Sequence, residues 1–296
     1  MPSSHDALLL SAPVPVPARR FVLPRIRLRH GAAGDAIGSV VLALVVLLAV
    51  VGPLLSRDSP TAPSGAEFLP PGSLGHLLGT DELGQDILAR VLVGLRTSLF
   101  ASVVVTGLSA VAGLVIGTVA GFLGGWIDSV LMRLTDLFLA FPATIVAMAI
   151  AAGLGPSLTS SMIGIGVVWW PLYARVVRGE VRRVMASPHV QGAWMSGTRG
   201  IRLAVKHVIP SVLPTVAVTA SLDIGGVIMT LASLAFVGLG TPAPAPELGL
   251  MSSAGLDYIL NAWWIAIIPA VAVGVLSLLF NYFGDGLRKV LRARGV

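Results

Sequence analysis

Six long, predominantly apolar stretches with few charges constrain the fold of this 296-residue chain more than any other feature. Each is close to the ~20 residues that a helix needs to cross a bilayer. Because lipid cannot satisfy exposed backbone N–H and C=O groups, such stretches must be helical. They cover residues 36–55, 97–126, 129–154, 158–174, 212–239 and 262–283. We therefore predict an all-α membrane protein with six transmembrane helices.

The composition agrees with a membrane protein and excludes several other classes. Only 11% of the residues are charged, whereas a soluble domain has ~25%. The hydrophobic fraction of 55% excludes a disordered chain, which needs low hydrophobicity and high charge. The chain has no cysteine, so disulfides, thiolate metal sites and cysteine nucleophiles are also excluded.

The distribution of basic residues predicts the orientation of the six helices. With both termini in the cytoplasm, only Arg57, Arg90 and Arg96 fall outside, and the other 17 of the 20 Lys and Arg residues fall inside. Cytoplasmic loops carry an excess of Lys and Arg, so this N-in, C-in arrangement is favoured. The net charge of +6 is then a consequence of topology, and no nucleic-acid partner is expected.

We expect three regions along the chain. Residues 1–34 form a cytoplasmic tail and an interfacial segment, residues 35–290 the six-helix permease domain, and residues 291–296 a cytoplasmic tail. Apolar residues alternate with arginines between Arg19 and His30, which favours binding to anionic membrane lipid. A compatible alternative is that these arginines only set the topology.

Two connections are too long to be simple turns. The external loop, residues 56–96, contains apolar residues at helical spacing from Leu83 to Leu92. This pattern predicts an amphipathic helix capped by Thr80 or Asp81 and leading into the second span.

The second connection is a basic cytoplasmic segment at residues 175–211. Pro188 is expected to open a short helix that ends near Gly197, where a glycine suits the left-handed turn. A second short helix is expected from Gly200 to His207, and Pro210 and Pro214 should limit the start of the fifth span. Two such helices form a compact element on which a partner can dock. The alternative is a basic loop fixed only by topology.

No catalytic constellation is present in the sequence. The chain has two lysines, Lys206 and Lys289, and neither follows a glycine-rich phosphate-binding loop. The five histidines show no metal-ligand spacing. We therefore expect no enzyme activity and no cofactor in this chain, so that energy must come from an ion gradient or from another chain.

The cytoplasmic segment is where the chain resembles a known family. Gln191-Gly192-Ala193, then Gly197, then the run from His207 to Pro210 has the spacing of the EAA motif of bacterial ABC importer permeases. Further similarity to the dipeptide/oligopeptide/nickel permeases of the DppC/OppC type lies in residues 79–96, 122–128, 141–142, 175–179, 233–240 and 284–288. The resemblance covers roughly residues 35 to 290 and implies a type I importer permease fold with a cytoplasmic coupling helix.

Four positions and the ending of the chain depart from the family pattern. Gln191 and Gly192 stand where Glu-Ala is usual, which puts a charge-assisted contact with the ATPase in doubt. Gln85 replaces an arginine, Leu248 replaces a tryptophan, and the acidic-proline ending after Arg288 is missing.

The resemblance also implies partners. These are a homologous permease subunit in a heterodimer, two cytoplasmic ATPases that hold ATP and Mg²⁺, and an extracytoplasmic solute-binding protein. By the same resemblance, coupling to the ATPases is assigned to Gln191, Gly192, Ala193, Gly197, His207 and Pro210. For His207, a solvated loop position is the alternative.

Asp223 is an acid within the fifth apolar stretch. A charge inside the membrane is costly, so Asp223 should face protein or an aqueous path. One interpretation places it on the translocation path, where it would contact a cationic group such as a peptide amino terminus. The other gives it a structural hydrogen bond or a neutral side chain.

Glycines and a proline make two further structural predictions. Gly113, Gly117, Gly121 and Gly125 recur every four residues, which favours close helix packing inside the bundle or at the subunit interface. Phe141-Pro142 should kink the third span.

The predicted function is that of a membrane subunit of an ATP-driven importer for peptides in the bacterial plasma membrane. The alternatives are transport of nickel or haem by the same family, an ion-coupled secondary transporter, and a non-transporting scaffold.

Overall fold

A computed structural model describes the backbone of residues 32–55 and 59–293. Every regular element in those ranges is helical, and the only strand-like pairings there are two isolated bridges. The α-helices are α1 (Ala32–Leu55), α2 (Ile87–Leu123), α3 (Gly125–Leu139), α4 (Ala143–Leu154), α5 (Leu158–Met185), α6 (Pro188–Met195), α7 (Gly200–Leu203), α8 (Ile209–Phe236), α9 (Leu248–Ala254) and α10 (Trp263–Ala293). Residues 1–31 of the predicted N-terminal region 1–34 lie outside the described residues, as do residues 294–296.

Within the described ranges, four helical segments are long and apolar enough to cross a membrane: Ile87–Leu123, Leu158–Met185, Gly200–Phe236 and Trp263–Leu291. The pair α3 and α4 passes the same test jointly, and Gly38–Leu54 of α1 is a shorter apolar helix. The all-α prediction is confirmed. Of the six predicted spans, four are evident by length and composition, or five if α3 and α4 form one span.

The third predicted span is broken into two helices at the predicted kink. α3 ends at Leu139, α4 begins at Ala143, and their axes differ by 81°. Pro142 precedes α4 and cannot donate a backbone hydrogen bond, which explains the position of the break. The predicted position of the bend is therefore confirmed.

The start of α2 corrects the predicted external helix. The cap is Asp86, whose carboxylate accepts from the amide of Ala89 at 2.8 Å. Asp81 closes a tight turn instead, since it accepts from the amides of Leu83 and Gln85 at 2.9 Å. The predicted cap at Thr80 or Asp81 is therefore wrong, and the helix is not a separate element but the first part of α2.

The prediction that Pro210 and Pro214 limit the fifth span is also wrong. α7 continues through a π-helical turn, Ala204–Val208, into α8, and the whole segment Gly200–Phe236 is one helix. In that turn the amide of Ile209 donates to the carbonyl of Ala204, one residue further back than in an α-helix. Because Pro210 has no N–H, the wider turn before it lets the helix continue.

Small residues bring α2 and α5 into close contact. A Cβ on Gly113 would lie 2.2 Å from Tyr173 Cβ, one on Gly117 would lie 2.5 Å from the Ala174 carbonyl oxygen, and one on Gly121 would lie 2.9 Å from Val181. For these three glycines the interpretation as packing within the bundle is confirmed. Gly125 differs, because it has positive φ and open space around it.

A buried polar cluster ties the segment before α2 to the bundle. His76 Nδ1 lies 2.8 Å from Asp86 Oδ2, and Arg90 Nε lies 3.4 Å from Asp81 Oδ2. The indole N–H of Trp264 in α10 donates to the carbonyl of Thr80 at 3.1 Å. These contacts fix the start of α2 against α10.

Candidate functional site

The helix α6 carries the first part of the predicted coupling motif. Pro188 occupies the first turn of the helix, as predicted. At the other end of the helix Gly197 has φ +89°. The amide of Gly197 donates to the carbonyl oxygen of Trp194 at 3.0 Å, and the amide of Thr198 donates to the carbonyl oxygen of Ala193 at 3.1 Å. This pair of bonds is the Schellman arrangement, so the predicted glycine-terminated helix is confirmed.

The predicted coupling residues lie on one continuous surface segment, residues 188–210. Gln191, Gly192 and Pro210 are exposed, whereas Ala193 and His207 are half-buried. Ala193 packs against the core cluster that contains Val190 and Leu203 of the same segment, so only part of the motif faces outward. The first part of the predicted 175–211 segment belongs to α5, because that helix continues to Met185.

An apolar groove runs beside α6, with a volume of about 510 Å³. It is lined by Phe122, Met185, Val190, Gln191, Trp194, Met195, Gly200 and Leu203. Trp194 is 54% exposed and Met195 is 81% exposed. Sequence reasoning did not single out these two residues, although two large apolar side chains in a basic segment were a usable signal.

Ion pairs tether the helix that precedes α6. Arg178 of α5 donates from Nη2 to Asp128 Oδ2 of α3 at 2.7 Å, and Arg182 pairs with the same carboxylate. Asp128 is buried, and its carboxylate accepts hydrogen bonds from both arginines. A second, exposed pair joins Arg175 to Asp136.

Three further cations extend the basic character onto the segment itself. Arg199, Arg202 and Lys206 form no ion pair with the described residues. Arg199 and Arg202 are exposed, as is Lys206. The surface around α6 therefore combines exposed apolar side chains with unpaired positive charge, which suits a partner with an apolar groove and acidic groups.

Asp223 lies on α8 within the bundle and is half-buried. The side chains of Tyr173 and Trp169, both on α5, lie near its carboxylate. None of the three polar atoms Asp223 Oδ2, Tyr173 OH and Trp169 Nε1 reaches hydrogen-bond geometry with a described residue. The acid thus faces protein on one side, as predicted.

On its other side Asp223 lines a cavity of about 430 Å³ between α8 and the end of α10. The lining consists of Pro214, Thr215, Val218, Thr219, Leu222, Asp223, Arg288 and Leu291. The structure thus does not bring Asp223 together with the coupling motif. No group of three or more His, Asp or Glu side chains within the described ranges could hold a metal ion.

Comparison with known proteins identifies the family. Residues 113–294 match the family described as binding-protein-dependent transport system inner membrane component. The chain belongs to this family. It is a transport permease component and a multi-pass protein of the bacterial plasma membrane, in agreement with its apolar helices.

Individual relatives match over most of the chain. The protein named "Probable D,D-dipeptide transport system permease protein DdpC" of Escherichia coli (strain K12) is 38% identical over 86% of this chain and 85% of its own length. The dipeptide transport system permease proteins DppC of Alkalihalophilus pseudofirmus and Haemophilus influenzae are 35% and 34% identical. They match 86% and 87% of this chain, and 84% and 90% of their own lengths. The resemblance to the DppC/OppC type is confirmed.

Proposed function

We propose that the chain is the integral membrane subunit of an ATP-driven importer for di- or oligopeptides. The observation that carries this proposal is the similarity to peptide permeases over more than four-fifths of both chains. The names of these relatives favour peptides over nickel or haem as the cargo. The four or five apolar spans support a transport path rather than a peripheral role.

The complete transporter contains partners in addition to this chain. A homologous permease completes the translocation path, two cytoplasmic ATPases bind ATP and Mg²⁺, and a solute-binding protein delivers the peptide. This chain supplies no cofactor and performs no hydrolysis. Six spans arranged N-in, C-in result if α1 counts as one span and the bent pair α3 and α4 as another. The distribution of Lys and Arg supports that orientation.

In this proposal α6 is the coupling helix. The ATPase contacts the exposed side chains of Trp194 and Met195. It also contacts the motif positions Gln191, Gly192, Ala193 and Gly197, and His207 and Pro210 lie at the far end of the segment. Only Ala186 and Ser187 separate α5 from α6, and the segment Gly200–Phe236 is one helix. A displacement of α6 by the ATPase would therefore reach two membrane-spanning helices directly, and movement of those helices would open or close the path.

Crosslinking tests the position of α6. The chain has no cysteine, so a single Met195→Cys substitution gives a unique reactive thiol. In the co-expressed complex, we expect a maleimide crosslink from position 195 to the ATPase and none from the matched control Leu74→Cys, which is also exposed. A chain that purifies alone, or equal crosslinking from both positions, would contradict the proposal.

A further inference from the structure

The cavity between α8 and the end of α10 carries opposite charges on its wall. Asp223 supplies a carboxylate and Arg288 a guanidinium to the same space of about 430 Å³. This volume lies within the ~300–1,000 Å³ that is usual for small-molecule sites. Both residues belong to the described part of the chain, and no ion pair joins them. The two charges therefore line one cavity without neutralising each other.

Two side chains of the neighbouring helix α5 lie beside the carboxylate of Asp223. They are Tyr173, which is fully buried, and Trp169, and neither Tyr173 OH nor Trp169 Nε1 has a hydrogen-bond partner among the described residues. The Oδ2 atom of Asp223 is buried and has no hydrogen-bond partner among the described residues. A buried carboxylate oxygen without a partner is costly, and a cationic ligand group would offset that cost.

Arg288 offers the complementary chemistry. It is exposed on α10, and its planar guanidinium can bind a carboxylate through two parallel hydrogen bonds. The hydroxyl of Thr219 donates to the Thr215 carbonyl at 2.9 Å, so its lone pairs remain available as acceptors in the cavity wall. The rest of the wall is apolar, with Val218, Leu222 and Leu291.

We propose that this cavity is a subsite for the zwitterionic backbone of a short peptide. The peptide ammonium group binds Asp223, the peptide carboxylate binds Arg288, and small apolar side chains contact the aliphatic wall. A metal cation would use the acid alone and would leave Arg288 without a role. This inference rests on the proposed function and deepens it, because it assigns a place on this chain to the two charges that all free peptides share.

Peptides that lack one of the two terminal charges distinguish the contact with Asp223 from the contact with Arg288. The complex, purified without its solute-binding protein in nanodiscs, is titrated with alanyl-alanine, N-acetyl-alanyl-alanine and alanyl-alanine amide, and saturation-transfer NMR gives an apparent Kd. Asp223→Asn and Arg288→Gln should each raise the Kd of alanyl-alanine about tenfold, the factor expected from one charge-assisted hydrogen bond. Asp223→Asn should not affect the N-acetyl peptide, and Arg288→Gln should not affect the amide.

Matched controls and an uptake assay make the outcomes distinct. Asp285→Asn and Arg133→Gln change exposed residues that do not line the cavity, and the Kd should stay at the wild-type value. Unchanged binding in both cavity variants, or no binding of alanyl-alanine to the wild type, would overturn the subsite. If the wild-type complex with its binding protein still imports alanyl-alanine with ATP, the proposed function stands and only the subsite is wrong. Absence of peptide uptake would instead reject the proposed function.

Discussion

Arg178 Nη2 donates to Asp128 Oδ2 at 2.7 Å, and this bond joins α5 to α3 across 50 positions of sequence. Arg182, one turn further along α5, binds the same buried carboxylate. Since α5 ends only two residues before α6, the ion pairs hold the base of the proposed coupling helix against α3. A movement of α6 that is transmitted to the end of α5 would therefore either carry α3 along or break these contacts.

Asp128→Asn should destabilise the protein. The substitution removes the charge from bonds to two arginines, and a hydrogen bond to a charged group contributes about 1.5–3 kcal/mol. We expect a lower thermal unfolding midpoint in detergent than for the wild type. The matched control is Asp136→Asn, whose pair with Arg175 is exposed on both sides and should contribute little. Equal midpoints for the two variants would show that the Asp128 cluster does not tether α3.

Gly117→Ala should loosen the contact between α2 and α5. The added Cβ would lie 2.5 Å from the Ala174 carbonyl oxygen, which forces the backbones apart at a cost of about 1–3 kcal/mol. The measurement is again the thermal midpoint, compared with that of Gly107→Ala, where a Cβ meets nothing within 4 Å. A midpoint for Gly117→Ala as high as that of Gly107→Ala would contradict close packing at this position.

Gly197→Ala should impair coupling more than folding. Its φ of +89° is unfavourable for an L-residue by about 1–2 kcal/mol, so the end of α6 should shift or fray. We expect fewer peptides imported per ATP hydrolysed, measured in proteoliposomes. Gly179→Ala is the control, because that glycine is on α5 with open space and no positive φ. An unchanged transport ratio in Gly197→Ala would argue against coupling through the end of α6.

Glu247 should make stability depend on pH. Burial raises the pKa of its carboxyl above the ordinary value of 4.5, partly offset by the Thr241 amide, which donates to it at 2.6 Å. The folded state then binds the proton more tightly than the unfolded state. The resulting stability is fully present below pH 4.5 and is lost as the pH rises through the folded-state pKa.

Unfolding midpoints at about pH 5 and about pH 8 test this linkage. The wild type should lose more stability between the two values than Glu247→Gln, which cannot titrate. Glu67→Gln, a change at an exposed position, should behave like the wild type. If Glu247→Gln keeps the full dependence on pH, another group is responsible.

Local signals in the sequence predicted local structure well. α5 begins at Leu158, where the fourth predicted span begins, and Pro188 and Gly197 bound α6 because proline and glycine act within one helical turn. Hydropathy alone did not predict the end of a helix that extends beyond its apolar stretch. α5 continues beyond Ala174 to Met185, since a helix need not end where its hydrophobic stretch ends.

Features that depend on distant residues could not be predicted. The cap of α2 is Asp86 rather than Thr80 or Asp81, because the preceding segment folds into turns that engage those earlier residues. The pairing of Asp128 with Arg178 and the shared cavity of Asp223 and Arg288 require the packing of separate helices. The sequence identified Asp223 as unusual and gave no indication of Arg288 beside the same cavity.

ATP-driven peptide uptake is the decisive measurement. Proteoliposomes containing this chain, the homologous permease and both ATPases would be supplied with ATP on the ATPase side, the binding protein on the other side, and labelled alanyl-alanine. We expect uptake that needs ATP, the binding protein and this chain together, and that ionophores leave unchanged. Uptake by this chain alone, driven by an ion gradient without ATP, would contradict the proposed function and identify a secondary transporter.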